Sequence, residues 1–328
     1  DGGIEGTLDG HEVVVAIWKT PGRNSIAFTR ATVSLREPMP TELRVTRHNA
    51  LGMIQPLAAL GSIAQLIGAG EVEVGTVAAG APLNVRGQNR QDADDLLANP
   101  ALAEATDVLR GPYDELNTVR ARVCKQGRAG AEVADLLTRA LTLAKSASEA
   151  RIAPWKQLET EPGLTLTFDG ANAHLSGSFD GMNVSMVGDR KSGEVIIEVR
   201  LTPGLPADLH VEKGEGDLGD FILDRTVKAS GATPEALLQL LSDDDIKEHL
   251  LSVVHGFEGS TVTAQQVTLK TQSFSDPELR ERLLEAVRLA RGLNERQATV
   301  ASSAAERSHD VESETADKPR PPKLKQPQ

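Results

Sequence analysis

Along the chain, stretches in which apolar and polar residues alternate give way to stretches with an apolar residue every three or four positions. The exchange happens twice, in the same order. "EVVVAIW" from Glu12 and "EVIIEVRL" from Glu194 are β-branched and alternating, which predicts strands. Asp9-Gly10 and Asp180-Gly181 predict tight hairpin turns, and "TPGRN" and "GDRKSG" predict further hairpin tips. Downstream, "TPEALLQLLS", with Pro234 in a first turn capped by Thr233, and "DDDIKEHLLSVVHG", ending on Gly256, predict two helices. The strand pairs expected in "TVRARVCK" and "TVTAQQVTLK" each lead to a closing helix. In the second of these, Leu279, Leu283, Ala286, Val287 and Ala290 keep a 3.6-residue stripe. Strands followed by helices predict an α+β fold, an antiparallel sheet with helices packed on one face.

The two passes are copies of one another. "GTLDGHEVVV" from Gly6 recurs as "GSFDGMNVSM" from Gly177, at a numbering offset of 171. "PMPTELRV" from Pro38 returns in "PGLPADLHV" from Pro203, pairing Leu43 with Leu209 and Val45 with Val211 at an offset of 166. "VGTVAAGAPLNVRG" from Val74 matches "LGDFILDRTVKASG" from Leu218 at 144, and "AEVADLLTRALTLAK" from Ala131 matches "PELRERLLEAVRLAR" without a gap. Matching blocks in a fixed order predict an internal duplication. The expected organisation is two homologous halves, 1–150 and 151–294, and a tail over 295–328. That tail is polar and aperiodic, with six acidic and six basic residues, and it is expected to be disordered. Its ending, "KPRPPKLK", reads as solvated chain.

The fall in offset from 166 to 144 gives the first half 22 extra residues between Val45 and Gly75. They include Leu51–Gly70, "LGMIQPLAALGSIAQLIGAG", which carries no charge. Gln55, Pro56, Ser62 and Gln65 interrupt it, and its Gly and Ala residues add little transfer energy, so it makes a poor membrane span. Its long side chains recur every three or four positions, which predicts a helical insert over about 48–70, divided near Pro56 and covering the first repeat.

Composition narrows the function classes. Charged residues make up 25% and aromatic residues 3%, with a mean hydropathy of -0.25, so a soluble globular chain with an aliphatic core is expected. A net charge of -12 disfavours a nucleic-acid partner, because phosphate neutralisation needs a basic face. Cys124 is the only cysteine, which excludes an intrachain disulfide and a thiolate zinc site and fits a reducing compartment. The chain opens on Asp1 without a signal-peptide pattern and reads as a fragment or processed form.

"GSIAQLIGAGEVEVGTVAAGAPLNVRG" and "GDLGDFILDRTVKASGATPEALLQLLSDDDIKEHLLSV" resemble a bacterial domain of unknown function found in membrane-associated proteins. Its pattern is a short "LLG" helix, an acidic "D-I-x-I-G-D", then "F-D" and a hydrophobic strand to Gly. Gly219-Asp220-Phe221 and Asp224 keep that pattern, whereas the first half keeps Gly75 but has Thr76, Val77 and Gly80. The resemblance implies a fold and a membrane-associated context, and no catalytic residues.

Among candidate chemistries, "KGEGDLGD" from Lys213 contains G-x-G-x-x-G. Glu215 and Asp217 lie inside it and a strand is expected after it, so it reads as a bend and not a nucleotide loop. Asp243, Asp244 and Asp245 read as a helix start. His249 and His255 are six apart, the wrong spacing for two ligands on one helix face. Asp220 and Asp224 are the remaining candidates for a polar site. On an extended segment they would share a face, while beside a Gly bend they would anchor backbone. No catalytic, cofactor-binding or metal-ligating residue is otherwise assigned. The expected function is a non-catalytic interaction or scaffold module, in the cytoplasm or at the cytoplasmic face of a membrane. Its partner would be a protein or a second copy, with peripheral membrane contact as a further option. The alternative is an enzyme or a small-ligand or metal-binding protein with a site at the seam between the repeats.

Overall fold

The computed structural model describes residues 2–19, 26–47, 71–74, 83–111, 113–127, 132–202, 205, 209–231, 234–241 and 243–316. The insert expected over 48–70, the "TPGRN" tip and the Thr233 cap lie outside them. The fold is α+β. The first sheet holds β1 (Gly2–Leu8), β2 (His11–Lys19), β3 (Ala27–Ser34), β4 (Arg44–Arg47), β5 (Glu71–Val74), β6 (Leu83–Arg86), β7 (Glu115–Asn117) and β8 (Arg120–Gln126), in the order β1-β2-β3-β8-β7-β4-β6-β5. The second holds β9 (Leu164–Phe168), β10 (Asn172–Phe179), β11 (Met182–Asp189), β12 (Val195–Arg200), β13 (His210–Lys213), β14 (Val227–Ser230), β15 (Thr261–Thr263) and β16 (Gln266–Thr271), in the order β9-β10-β11-β12-β16-β15-β13-β14.

Seven strands of one sheet have a counterpart at the same place in the other, and β5 and β9 are the extra edges. The register agrees residue by residue. Gly6 faces Val13, and Gly177 faces Val184. Val45 faces Val85 and Leu116, and Val211 faces Ala229 and Val262. Leu116 faces Ala121, and Val262 faces Val267. A one-residue slip would turn every apolar side chain to the wrong face, so shared register means shared choice of buried face. Asp9 and Gly10 have φ of 50° and 76°, Asp180 and Gly181 of 51° and 81°, the left-handed pair that a two-residue hairpin requires.

Helices follow the strands: α1 (Arg90–Leu97), α2 (Pro100–Ala105) and α3 (Val133–Glu159), then α4 (Pro234–Leu241), α5 (Asp244–Leu250) and α6 (Leu279–Ala316). Asn89 caps α1 by accepting from Asp92 N, and Asn99 caps α2 ahead of Pro100 at its first turn. Asp243 caps α5 by accepting from Asp245 N, and a π-helical turn over Leu251–His255 follows. Leu279, Leu283, Ala286, Val287 and Ala290 are all fully buried, as the stripe predicts. α6 continues past Glu295, where the polar tail is expected to begin, to Ala316, and residues 317–328 lie outside the description. No helix among the described residues is long and apolar enough to cross a membrane.

The chain divides into two compact units, Asp1–Glu198 with Leu269–Leu284, and Val199–Thr268 with Glu285–Gln328. The repeat boundary set after residue 150 falls inside α3, which lies wholly in the first unit. The reason is that α3 serves both repeats. Leu136, Ala140, Leu143, Ala144 and Ala147 close the first core over Ala31, Val33, Ala121 and Val123, and the helix reaches β9 and β10 as well. Ile152, Trp155 and Leu158 extend the same buried stripe. In the second unit Leu240, Leu241, Ile246, Leu250, Val253 and Val254 are buried. There a Cβ on Gly292 of α6 would stand 3.1 Å from Ile246, so the glycine allows a close approach to α5.

The equivalent turns should respond differently to Ala. At Gly181 nothing lies within 4 Å of an added Cβ, so Gly181→Ala should cost only the conformational term, roughly 1 kcal/mol in urea unfolding. A Cβ on Gly10 meets only the far end of the exposed Arg36 side chain, which can swing aside, so Gly10→Ala should cost slightly more, through loss of the hydrogen bond that Arg36 donates to the Asp9 carbonyl. Equal losses would show that the two hairpins are held alike.

Candidate functional site

The seam between the repeats, where the alternative reading expects a ligand, contains the one fully buried ion pair among the described residues, and it belongs to the first unit. Arg151 of α3 and Asp92 of α1 both have no exposed side chain. Arg151 Nη1 donates to Asp92 Oδ1 at 2.5 Å, to Oδ2 at 2.6 Å and to Ser275 Oγ at 2.7 Å, and its Nη2 donates to the carbonyl of Arg190 at 2.5 Å. Asp92 Oδ1 also accepts from Ser275 N at 2.9 Å. Asn89, while capping α1, donates to the carbonyls of Ser192 at 2.7 Å and Gln272 at 2.6 Å. Trp155 Nε1 donates to Phe274 O at 3.0 Å and its ring stacks on Phe274, whose face lies 4.5 Å from the Arg151 guanidinium. The β11–β12 hairpin completes the ring of partners: Arg190 pairs with Glu37 at 3.0 Å and lies over Phe168.

Two glycines show how closely this joint is filled. A Cβ on Gly193, which has φ +82°, would sit 2.6 Å from both Asn89 Nδ2 and Asp92 Oδ2, and one on Gly188 would run into the Trp155 ring. Burial pulls the Arg151 guanidinium below its usual range, and Asp92 opposes that shift. Burial raises the nearby Asp95 carboxyl, with Ser273 and Gln91 lowering it and Asp276 and Asp92 adding to the rise. The charged groups at the seam bind one another, which makes a joint.

Asp220 and Asp224 share no extended face. They sit in a turn that runs into a 3₁₀ turn over Leu223–Arg225. Asp224 accepts from Leu218 N and Gly219 N, the latter at 3.0 Å, while Asp220 Oδ1 accepts from Ile222 N at 3.0 Å and Leu223 N at 3.3 Å. Asp220 Oδ2 pairs with Lys247 Nζ at 2.7 Å, and that hydrogen bond, then the Leu223 amide, holds the carboxyl below its ordinary value. The turn they build presents Phe221 and Ile222, 71% and 59% exposed, with Arg225 stacked on the Phe221 ring. In the glycine-rich loop before it, a Cβ on Gly216 would collide with the Val227 carbonyl, so a chain crossing explains that glycine. His249 pairs with Glu285 at 3.2 Å. Among the described residues no group of three or more His, Cys, Asp or Glu could hold a metal ion.

The outward-facing register of the first sheet gathers a different set. Trp18 opposes Phe28, Arg30 opposes Cys124, Arg122 opposes Glu115, and Arg44 opposes both Asn117 and Arg86. Their shared parity puts them on the face opposite Ala31, Val33 and Val123. Trp18 stacks on Phe28 at 5.2 Å, Phe28 meets Tyr113 edge-on at 5.2 Å, and Arg30 lies over Trp18 at 5.1 Å. Arg44 at 3.1 Å and Arg122 at 2.5 Å share Glu115. Burial lowers Arg122, Glu115 opposes that, and Arg120 and Arg30 add to it as like charges. Cys124 is pushed up to about 12, first by burial and then by Asp114, so at neutral pH it is a thiol and no nucleophile. At the register positions of Arg44, Glu115, Arg122 and Trp18 the second repeat has His210, Thr261, Thr268 and Asp189.

Neither cluster shows in the sequence as a cluster. Arg151 carries a signal, being a lone charge on the apolar stripe of Ala147, Trp155 and Leu158. The arginines do not, because four strands far apart in sequence bring them together. No family model, curated protein or solved structure matches the chain.

Arg151→Ala should cost about 3–5 kcal/mol in urea unfolding, because it strands a buried carboxylate. Arg151→Met with Asp92→Leu should recover most of that, and a single-variant loss below about 1 kcal/mol would mean the pair behaves as a surface bridge. Asp224→Ala should cost roughly 1–3 kcal/mol and speed amide exchange at Leu218 and Gly219. Unchanged melting with lost binding of an ion or partner would overturn that structural role. The Asp220 contribution is present above the ordinary value of 3.8 and is lost as pH falls through the lowered one; Asp220→Asn should flatten that acid limb.

Proposed function

We propose that this chain is a non-catalytic interaction module, a duplicated scaffold whose two copies have diverged on their surfaces. The observation that carries this reading is the outward face of the first sheet, where Trp18, Phe28 and Tyr113 adjoin Arg30, Arg44, Arg86, Arg120 and Arg122. Arginine and large aromatics are the residue types that dominate binding energy at protein interfaces. Concentrating arginine on one face of a chain of net charge -12 favours a partner with a negative patch, through steering and specificity. The second repeat keeps the scaffold without this set, so the fold does not require it. The closed joint at the seam supports the same reading, since its charged groups bind one another. The single cysteine and the resemblance to domains of membrane-associated bacterial proteins favour a reducing compartment, at the cytoplasmic face of a membrane or in the cytoplasm.

Tyr113 is 53% exposed and Arg120 is exposed, so Tyr113→Ala with Arg120→Glu should leave melting almost unchanged. The same double variant should abolish recovery of a partner that cross-links to the wild-type chain. A thermal-shift panel of metals and metabolites provides the opposing test. A specific large stabilisation by one small molecule, with cross-linking indifferent to the double variant, would replace this reading with a ligand-binding one.

A further inference from the structure

The Asp220–Asp224 turn uses its polar side chains on its own backbone and on its neighbour. Asp224 accepts from the amides of Leu218 and Gly219, and Asp220 accepts from those of Ile222 and Leu223 and from Lys247 Nζ. The Thr226 hydroxyl donates to the Ile222 carbonyl at 2.8 Å. What is left facing water is the tip, Phe221 and Ile222, and Phe221 is the most exposed of the six phenylalanines. An apolar tip held this firmly loses little conformational freedom on binding, which is the property of an interface anchor. Its surroundings are acidic. Residues 213–228 and 243–247, joined by the Asp220–Lys247 pair, hold seven acidic and four basic residues, and Glu215, Asp217, Asp244 and Asp245 are exposed. An apolar tip with an acidic rim fits a surface that is aromatic and basic.

The outward face of the first sheet is such a surface. Tyr113 stands 53% exposed beside Phe28 and Trp18, and Arg120 is exposed. Arg30 and Arg120 act on Arg122 as like charges, a repulsion that an incoming carboxylate would relieve. Neither surface is duplicated. The positions of Phe221, Ile222 and Asp224 are Val77, Ala78 and Gly80 in the first repeat, while those of Arg44, Arg122 and Trp18 are His210, Thr268 and Asp189 in the second. Each repeat therefore carries one half of a complementary pair on a shared scaffold.

We propose that the Phe221–Ile222 tip of one copy of this chain docks on the arginine and aromatic face of a second copy. Phe221, stacked on Arg225 at 4.2 Å, offers its other ring face to Tyr113, and the acidic rim meets Arg30, Arg120 and Arg122. This names the partner of the interaction module above and rests on that reading. Face against face opposes arginines and tip against tip opposes acids, so the pairing that charge allows is tip to face. An anionic lipid surface fits poorly, because it would repel the acids around the tip.

Sedimentation velocity on the full chain should show an average mass that rises with concentration. Phe221→Asp, and separately Tyr113→Ala with Arg120→Glu, alter exposed side chains, so both variants should melt like wild type. Each should raise the concentration needed for association at least about tenfold, equivalent to about 1.4 kcal/mol. Mixed in equal amounts, the two variants should form a heterodimer and nothing larger, because each supplies the surface the other lacks and no second contact remains. A wild-type chain that stays monomeric, or a mixture that does, would overturn the proposal. Binding of a monomeric wild type to phosphatidylcholine vesicles, lost in Phe221→Asp, would overturn it in favour of a lipid surface. If the wild type is monomeric and the double variant still loses a different cross-linked protein, the interaction module stands and self-association falls.

Discussion

Arg151 lies in the middle of a helical stripe where every other requirement is apolar. A guanidinium fully removed from water is tolerable only when several acceptors surround it. Here they come from the start of α1, from the β11–β12 hairpin and from the loop before α6. The pair therefore fixes the place of three segments far apart in sequence, and Trp155 stacked on Phe274 keeps water from it. Replacement by a well-packed apolar pair could match its stability, but an apolar pair would not specify the register of three chains so narrowly.

That constraint explains the behaviour of α3. Its first turns complete the core of the first sheet, its last turns meet β9 and β10, and Arg151 sits at the change of duty. One continuous helix carries the boundary between the copies, so the compact units do not coincide with the repeats. Pro154 lies inside α3 near its C-terminal end and removes one backbone donor from the helix there.

With the scaffold shared, the surfaces are free to differ. The first sheet carries arginines and stacked aromatics on its outward face. The corresponding positions of the second are Thr, His and Asp, and its own distinctive feature is the Asp220–Asp224 turn that presents Phe221 and Ile222. Cross-strand register allows this, because alternate residues on a strand face opposite sides and change independently of the core.

Alternation and period determined the strands, the closing helices and the α+β class, because burial on one face imposes those spacings locally. Repetition determined more, since matching blocks in a fixed order carried through to equal register between strands, from Gly6 and Gly177 to Leu116 and Val262. Sequence also left Asp220 and Asp224 as two alternatives, a carboxylate pair or backbone anchors. The turn decided for anchors, because the neighbouring amides lie within hydrogen-bonding distance only once the chain bends. The partners of Arg151 and the gathering of arginines around Glu115 were decided by tertiary structure alone. Each depends on which distant strand or helix comes to lie alongside, and a local pattern of apolar residues specifies that a face is buried without specifying against what.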